Sequence, residues 1–171
     1  MTGPAAVLIG MPGAGKTSVG RELAGLLDVS FRDTDEDVTR LAGKPAPEVL
    51  RERGEPAFRL LEHQAVTAAL AEHDGVLALG GGAVLHEGTR ARLRGCRVVH
   101  LWAGLDTLAD RVRADGDRPL LDGDSRAGLT QLMRARLPLY QGLAVVSVRA
   151  EHRGPREIAE EIAVLLATAA R

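Results

Sequence analysis

Short apolar runs alternate along the chain with stretches of helical spacing. Residues 5–9, AAVLI, form an unbroken apolar run leading into glycine, the pattern of a strand covered on both faces. The next stretch, TSVGRELAGLLD, places Val19, Leu23, Leu26 and Leu27 on one helical face. VSFRDTD (29–35) predicts a short second strand ending in carboxylates. GVLALGGG (75–82), RVVHLWAG (97–104) and LAVVSVRA (143–150) predict three more. Helical spacing fills 86–94, 105–114, 126–140 and 155–169. Trp102, inside the fourth strand, is expected in the core.

Strands alternating with helices predict an α/β fold, a mostly parallel sheet with helices on both faces. Two segments interrupt the alternation. Residues 35–73 form a polar, helical insertion broken by Gly43, Pro45, Gly54 and Pro56. Residues 113–125, RADGDRPLLDGDS, have turn residues and little periodicity, the character of a lid. No internal repeat or interdomain linker divides residues 1–171, so one domain is expected, of a length that supports a sizeable core.

Composition narrows the partners. The net charge of −1 argues against a nucleic-acid or membrane-surface binder that works by bulk charge. Cys96 stands alone, which points to a reducing compartment. The first ten residues lack the basic region of a signal peptide, and no apolar run is long enough for a bilayer. A cytoplasmic monomer is expected. Only Lys16 and Lys44 among 22 basic residues are lysines, so the rest are arginine, whose planar fork suits carboxylates and phosphates. The five histidines show no metal-ligand spacing, and His63 reads as solvated.

The motif GMPGAGKT, residues 10–17, matches G-x-x-x-x-G-K-[ST] between a predicted strand and a predicted helix. Gly10, Gly13 and Gly15 let backbone N–H groups turn toward phosphate oxygens. Lys16 reaches the outer phosphates, and the Thr17 hydroxyl ligates magnesium. A nucleoside triphosphate with magnesium is therefore expected. The aspartate that often closes an apolar strand near such a loop is missing after GVLAL, which ends in Gly80, Gly81 and Gly82. Asp33 and Asp35, at the end of the second strand, are the acidic candidates. Asp33 can support magnesium directly or through water, and Asp35 can accept a hydroxyl proton; an acidic turn capping the next helix is the alternative. The glycine run either walls a small-substrate site or makes only a tight turn. Arg59, Arg118, Arg134 and Arg136 stand near these motifs, and each alone reads as a surface residue.

Taken in order, GMPGAGKT, DTD, GEPAFR, LGGGAV, RPLL and R-L-P-L-Y resemble the shikimate kinase family over nearly the whole chain. The resemblance implies a three-layer sandwich of the P-loop NTPase, nucleoside-monophosphate-kinase-like type. Its five-stranded parallel sheet would run 2-3-1-4-5. It implies phosphorylation of the 3-hydroxyl of shikimate by ATP with magnesium. By the family pattern, Asp35 binds the shikimate hydroxyls as candidate base. Arg59 and Arg136 hold its carboxylate, and Gly80, Gly81 and Gly82 offer backbone donors. Gly13, Ala14, Gly15, Lys16, Thr17 and Ser18 hold the nucleotide phosphates, with Lys16 catalytic. Asp33 stands behind the magnesium that Thr17 ligates. Arg118 closes with the lid over the phosphoryl group, and Arg111, Arg153 and Pro155 lie near the adenine. Glu62 stands where the family commonly has a glutamate, whereas Gly154 replaces a polar residue that many members have.

Overall fold

The computed structural model describes residues 3–116 and 125–169. Five strands form one parallel sheet: β1 (Ala6–Ile9), β2 (Phe31–Asp33), β3 (Val76–Ala78), β4 (Val98–Trp102) and β5 (Val146–Arg149), in the order β2-β3-β1-β4-β5. The central strand β1 pairs with β3 on one side and β4 on the other, with Val7 opposite both Leu77 and Val98. Every residue of β1 and β3 is buried, which explains why those segments read as continuous rather than alternating apolar runs. The alternation of strand and helix, the expected order and the parallel sense are all present.

Among the described residues, seven helices connect and cover the sheet: α1 (Lys16–Leu27), α2 (Thr34–Ala42), α3 (Ala46–Glu72), α4 (Glu87–Leu93), α5 (Leu105–Asp115), α6 (Ser125–Leu143) and α7 (Pro155–Ala169). Helix α1 packs on α7, and α5 packs on α6. Val19, Leu23 and Ala24 form the buried face of α1; hiding a Val or Leu side chain contributes about 1.5–3 kcal/mol. The insertion carries its own small core, where Val38, Val49, Phe58 and Ala65 pack together apart from the main cluster.

Local chemistry sets several boundaries. Strand β2 stops at Asp33, two residues before the expected end. The Asp33 carboxylate accepts a 2.9 Å bond from the Asp35 N–H and so caps α2. Thr34 and Asp35 thus begin a helix rather than extend a strand. Helix α3 bends at Gly54, whose φ of 80° lies in the left-handed region, and Pro56 restarts the helix beyond it. A 3₁₀ turn, Ala83–Leu85, separates the glycine run from α4, so that helix is shorter than expected. Helix α6 passes through Pro138 and ends three residues beyond Tyr140. Residues 113–115 belong to α5 rather than to an irregular lid.

Trp102 is not core. It lies at the end of β4, 40% exposed, where the Arg149 guanidinium sits 5.3 Å from the ring centre. The strand ends where the sheet runs out of cover, and a cation–π contact stands in for burial. His63 is not simply solvated either. It stacks on His86 with ring centres 3.9 Å apart, and its Nδ1 lies 2.9 Å from the Thr89 hydroxyl.

Candidate active site

All five strands end at one edge of the sheet, and the order reverses where β3 and β4 flank β1. A ligand crevice belongs at that edge. A cleft of about 540 Å³ opens there.

The loop between β1 and α1 forms its floor. Gly13 and Gly15 take φ of 82° and 91°, which turns successive N–H groups the same way ahead of α1. Helix α1 has no side chain capping its first turn, so its N–H groups and dipole face the cleft. Lys16 Nζ donates to the carbonyls of Gly10 at 2.8 Å and Met11 at 3.0 Å, which folds its charge back over the loop. Gly13, Ala14, Gly15, Lys16, Thr17 and Ser18 all line the cleft, as expected of a phosphate cradle.

Thr17 and Asp33 meet across the two strand ends. The Thr17 hydroxyl donates to Asp33 Oδ2 at 2.8 Å, while Asp33 Oδ1 holds the start of α2. A hydroxyl and a carboxylate side by side at the mouth of a phosphate loop are hard oxygen ligands. They fit magnesium, which takes few protein groups beside phosphate oxygens and water. Asp35 is exposed to the same cleft from the first turn of α2.

Arg111, Arg153 and Pro155 line the opposite end. Arg111 donates to the Gly13 carbonyl at 3.1 Å and to the Ala150 carbonyl at 2.7 Å, tying the phosphate loop to the end of β5. Arg153 pairs with Glu157 at 3.0 Å and Glu161 at 2.5 Å. The two arginines reach the cleft by different routes, one clamped on backbone and one braced by helix α7.

The glycine run meets the inner end of the cleft, and its function differs from that of the first loop. Gly80, Gly81 and Gly82 do not adopt positive φ; what they provide is space. A Cβ on Gly80 would lie 2.5 Å from Glu62 Oε1 and 2.8 Å from Asp35 Oδ1. One on Gly81 would lie 3.0 Å from Pro12 Cδ and 3.2 Å from an Arg136 nitrogen, and one on Gly82 would clash with the Arg59 guanidinium, 2.4 Å from its central carbon. The glycines thus make room for the carboxylates of Glu62 and Asp35, for Pro12 and Arg136, and for Arg59. The Gly80 N–H is donated at 3.3 Å to the buried Thr34 hydroxyl.

Arg59 and Arg136 thus converge on the glycines, although they stand on α3 and α6. Arg59 bonds Glu62 at 2.5 Å and Glu55 at 3.4 Å. Glu62 is 2% exposed, and burial pushes its carboxyl up despite the neighbouring Arg59. Arg136 is 2% exposed, and its Nε is buried with no hydrogen-bond partner. Burial draws its pKa down from the usual arginine value. A buried guanidinium with an unmet donor favours an incoming anion, and a carboxylate fits its fork. Arg134, by contrast, is exposed. Arg118 and the centre of the expected lid lie outside the described residues.

Three site residues had a place in the sequence motifs but no role assigned from them. Thr34 and Glu62 are polar residues buried against the glycines, and Tyr140 donates to the Gly81 carbonyl at 2.5 Å. Thr34 lies in DTD, Tyr140 closes R-L-P-L-Y, and Glu62 stands where the family commonly has a glutamate.

The family model for shikimate kinase matches residues 12–167. A shikimate kinase of Thermobifida fusca is 54% identical, over 94% of this chain and 93% of the relative. One of Saccharopolyspora erythraea is 52% identical, over 93% and 91%. Among solved structures, shikimate kinase from Acinetobacter baumannii in complex with shikimate superposes with a TM-score of 0.91 at 32% identity, covering 96% of this chain and 94% of that one. A phosphate loop, a neighbouring carboxylate pair and two arginines brought against a glycine run thus occur together in a chain that matches one family along almost its whole length: the chain belongs to the shikimate kinase family.

Proposed function

We propose that this site phosphorylates the 3-hydroxyl of shikimate, giving shikimate 3-phosphate and ADP, with Asp35, Arg59 and Arg136 holding the acceptor. The observation that carries the reading is Arg136: a buried arginine with an unpartnered Nε, packed against Gly81, which lines the phosphate-binding cleft. A nucleoside or an uncharged sugar offers nothing to such a guanidinium, whereas a small carboxylic acid bearing hydroxyls does. Shikimate is the acid named with the Acinetobacter baumannii structure.

The family uses ATP with magnesium. Thr17 and Asp33 would hold magnesium, which would supply charge neutralisation at the phosphoryl oxygens. Residues Gly13 to Ser18 align the phosphates through backbone N–H groups, and Lys16 supplies positive charge where the transferring group gathers negative charge. Arg59 and Arg136 fix the ring by its carboxylate, which directs the hydroxyl toward Asp35. As the new oxygen–phosphorus bond forms and the bond to ADP breaks, Asp35 receives the hydroxyl proton. By the family pattern Arg118, which lies outside the described residues, would supply positive charge to the transferring group. Arg111, Arg153 and Pro155 border the adenine. Residues 35–73 act as the acceptor-binding insertion of a single kinase domain.

We further read the chain as a cytoplasmic monomer with no nucleic-acid or membrane partner. The lone Cys96 supports a reducing compartment and the net charge of −1 argues against partners bound by bulk charge, and no helix among the described residues is long and apolar enough to cross a membrane. A coupled assay of ADP release with shikimate, gluconate and nucleoside monophosphates tests the activity. Turnover on another acceptor without turnover on shikimate would overturn it.

A further inference from the structure

Strand β5 ends at Arg149, and the chain turns through residues 150–154 before α7 begins at Pro155. Ala150, Arg153 and Pro155 line the kinase cleft at the end where Arg111 stands. The Ala150 N–H still donates to the Trp102 carbonyl at 2.8 Å, but beyond it side chains hold the turn. His152 takes a φ of 58°, in the left-handed region that a non-glycine residue seldom adopts. Local preference therefore does not account for the shape of this turn.

Glu151 ties it to the rest of the fold. The residue is 7% exposed and does not line the cleft. Its Oε2 accepts from the Gly104 N–H at 3.2 Å and from the Thr107 hydroxyl at 3.0 Å. Its Oε1 accepts from Arg149 Nε at 2.6 Å, part of the guanidinium that also covers Trp102. Gly104 precedes α5 and has no side chain to cap it, so a carboxylate 47 residues away caps the helix instead. A Cβ on Gly104 would lie 3.2 Å from that oxygen, so the bare position keeps the approach open. The bonds from Arg149, Gly104 and Thr107 hold the carboxyl below the usual glutamate range, and it is charged at neutral pH.

A second bridge stands one helical turn further along α5. Arg111 donates to the Ala150 carbonyl at 2.7 Å and to the Gly13 carbonyl at 3.1 Å. Two consecutive residues, Ala150 and Glu151, are thus pinned to α5 at two levels, and the upper level continues to the phosphate loop.

We infer that Glu151 is a positioning residue for the nucleotide base. Its carboxylate fixes the turn against α5, and so sets the slot between Arg111 on one side and Arg153 with Pro155 on the other. The inference rests on the proposed reading of that end of the cleft as the adenine end. The loop between β1 and α1, which holds the phosphates, and the acceptor site at the glycine run should depend on Glu151 far less.

Titration calorimetry of the full-length protein with ADP and with pyrophosphate separates the base from the phosphates. Glu151→Ala should weaken ADP on the order of tenfold and pyrophosphate by less than about twofold. Kinetics should show the same split, with the KM for ATP raised on the order of tenfold while kcat and the KM for shikimate stay within about twofold. A loss of fold stability alone would not produce that split. Thr107→Val removes one bond to the same carboxylate and strands no charge, so it serves even if Glu151→Ala fails to fold. It should weaken ADP by about threefold, and in the Glu151→Ala background it should add nothing. Unchanged ADP affinity in either folded variant, or equal losses for ADP and pyrophosphate, would overturn the inference and leave the reading of the cleft intact. Wild-type protein that binds ADP no more tightly than pyrophosphate would overturn the adenine end itself, and the inference with it.

Discussion

The Tyr140 hydroxyl donates to the Gly81 carbonyl at 2.5 Å, joining α6 to the glycine run across 59 residues of sequence. Arg136 stands one helical turn earlier on the same helix, and its guanidinium meets the missing side chain of that same glycine. Tyr140 is fully buried, and burial pushes its phenol up to about 12, so it remains a neutral donor. Tyr140→Phe leaves the Gly81 carbonyl without this bond and should cost about 1–3 kcal/mol of stability. It should also loosen Arg136 and raise the KM for shikimate. Urea unfolding together with steady-state kinetics checks both; an unchanged KM would uncouple the tyrosine from the site.

Arg136→Ala should chiefly weaken acceptor binding. A charge-assisted bond contributes about 1.5–3 kcal/mol, so the KM for shikimate should rise roughly 10- to 100-fold with little change in that for ATP. Arg59→Ala should do the same and additionally strand Glu62, its 2.5 Å partner. Removing Arg59 should therefore destabilise the fold more than removing an exposed arginine such as Arg134. Equal losses for Arg59 and Arg134 would argue against that buried pairing.

Gly82→Ala tests the spacing of the glycine run directly. The added Cβ would lie 2.4 Å from the central carbon of the Arg59 guanidinium, so the arginine must move away. The φ of Gly82 is −93°, which alanine adopts without strain, so the damage should fall on the site rather than on the backbone. We expect a higher KM for shikimate with a melting temperature changed by only a few degrees. A normal KM in a folded protein would show that Arg59 tolerates displacement.

Lys16→Ala and Asp35→Asn should lower kcat while leaving a folded, nucleotide-binding protein. Removing one preorganised group that stabilises developing charge costs on the order of 10²–10³ in kcat. Asp35→Asn keeps the shape of the carboxylate and removes its capacity to take a proton. Retained turnover in that variant, measured by ADP release, would remove Asp35 from the proton step.

His100 should make stability depend on pH. Its pKa falls from 6.5 to about 4 on folding because burial and Lys16 disfavour the cation. Between those values the unfolded chain binds a proton that the folded chain does not. The contribution is therefore complete above about pH 6.5 and is lost as pH falls toward 4. It amounts to roughly 3 kcal/mol from the size of the shift. Urea midpoints at several pH values should show the decline, and His100→Phe should flatten it; an identical slope in the variant would assign the decline to other groups.

Much of the architecture was legible because its causes are local. The apolar run of β1, the G-x-x-x-x-G-K-[ST] spacing and the helical period of α1 each depend on neighbouring residues. Asp33 shows where that locality ends. Its place beside Thr17 follows from strand ends gathering at one edge, but its capping of α2, which shortened β2, emerges only from the side-chain geometry. Trp102 misled for the opposite reason: a strand pattern gives no information about where the sheet loses its cover.

The sequence by itself determined the alternation of elements, the phosphate loop and, through a family pattern spread along the chain, the acceptor chemistry. Tertiary structure decided why three glycines stand at the end of β3. Their reason lies in Arg59 and Glu62 on α3, Arg136 on α6 and Asp35 on α2, which crowd the positions where their side chains would be. Exclusion of volume acts between atoms that meet only after folding, so no window of sequence contains it. For the same reason the bonds of Tyr140 and Thr34 to the glycine run, and the buried Nδ1 of His100, became visible only in three dimensions.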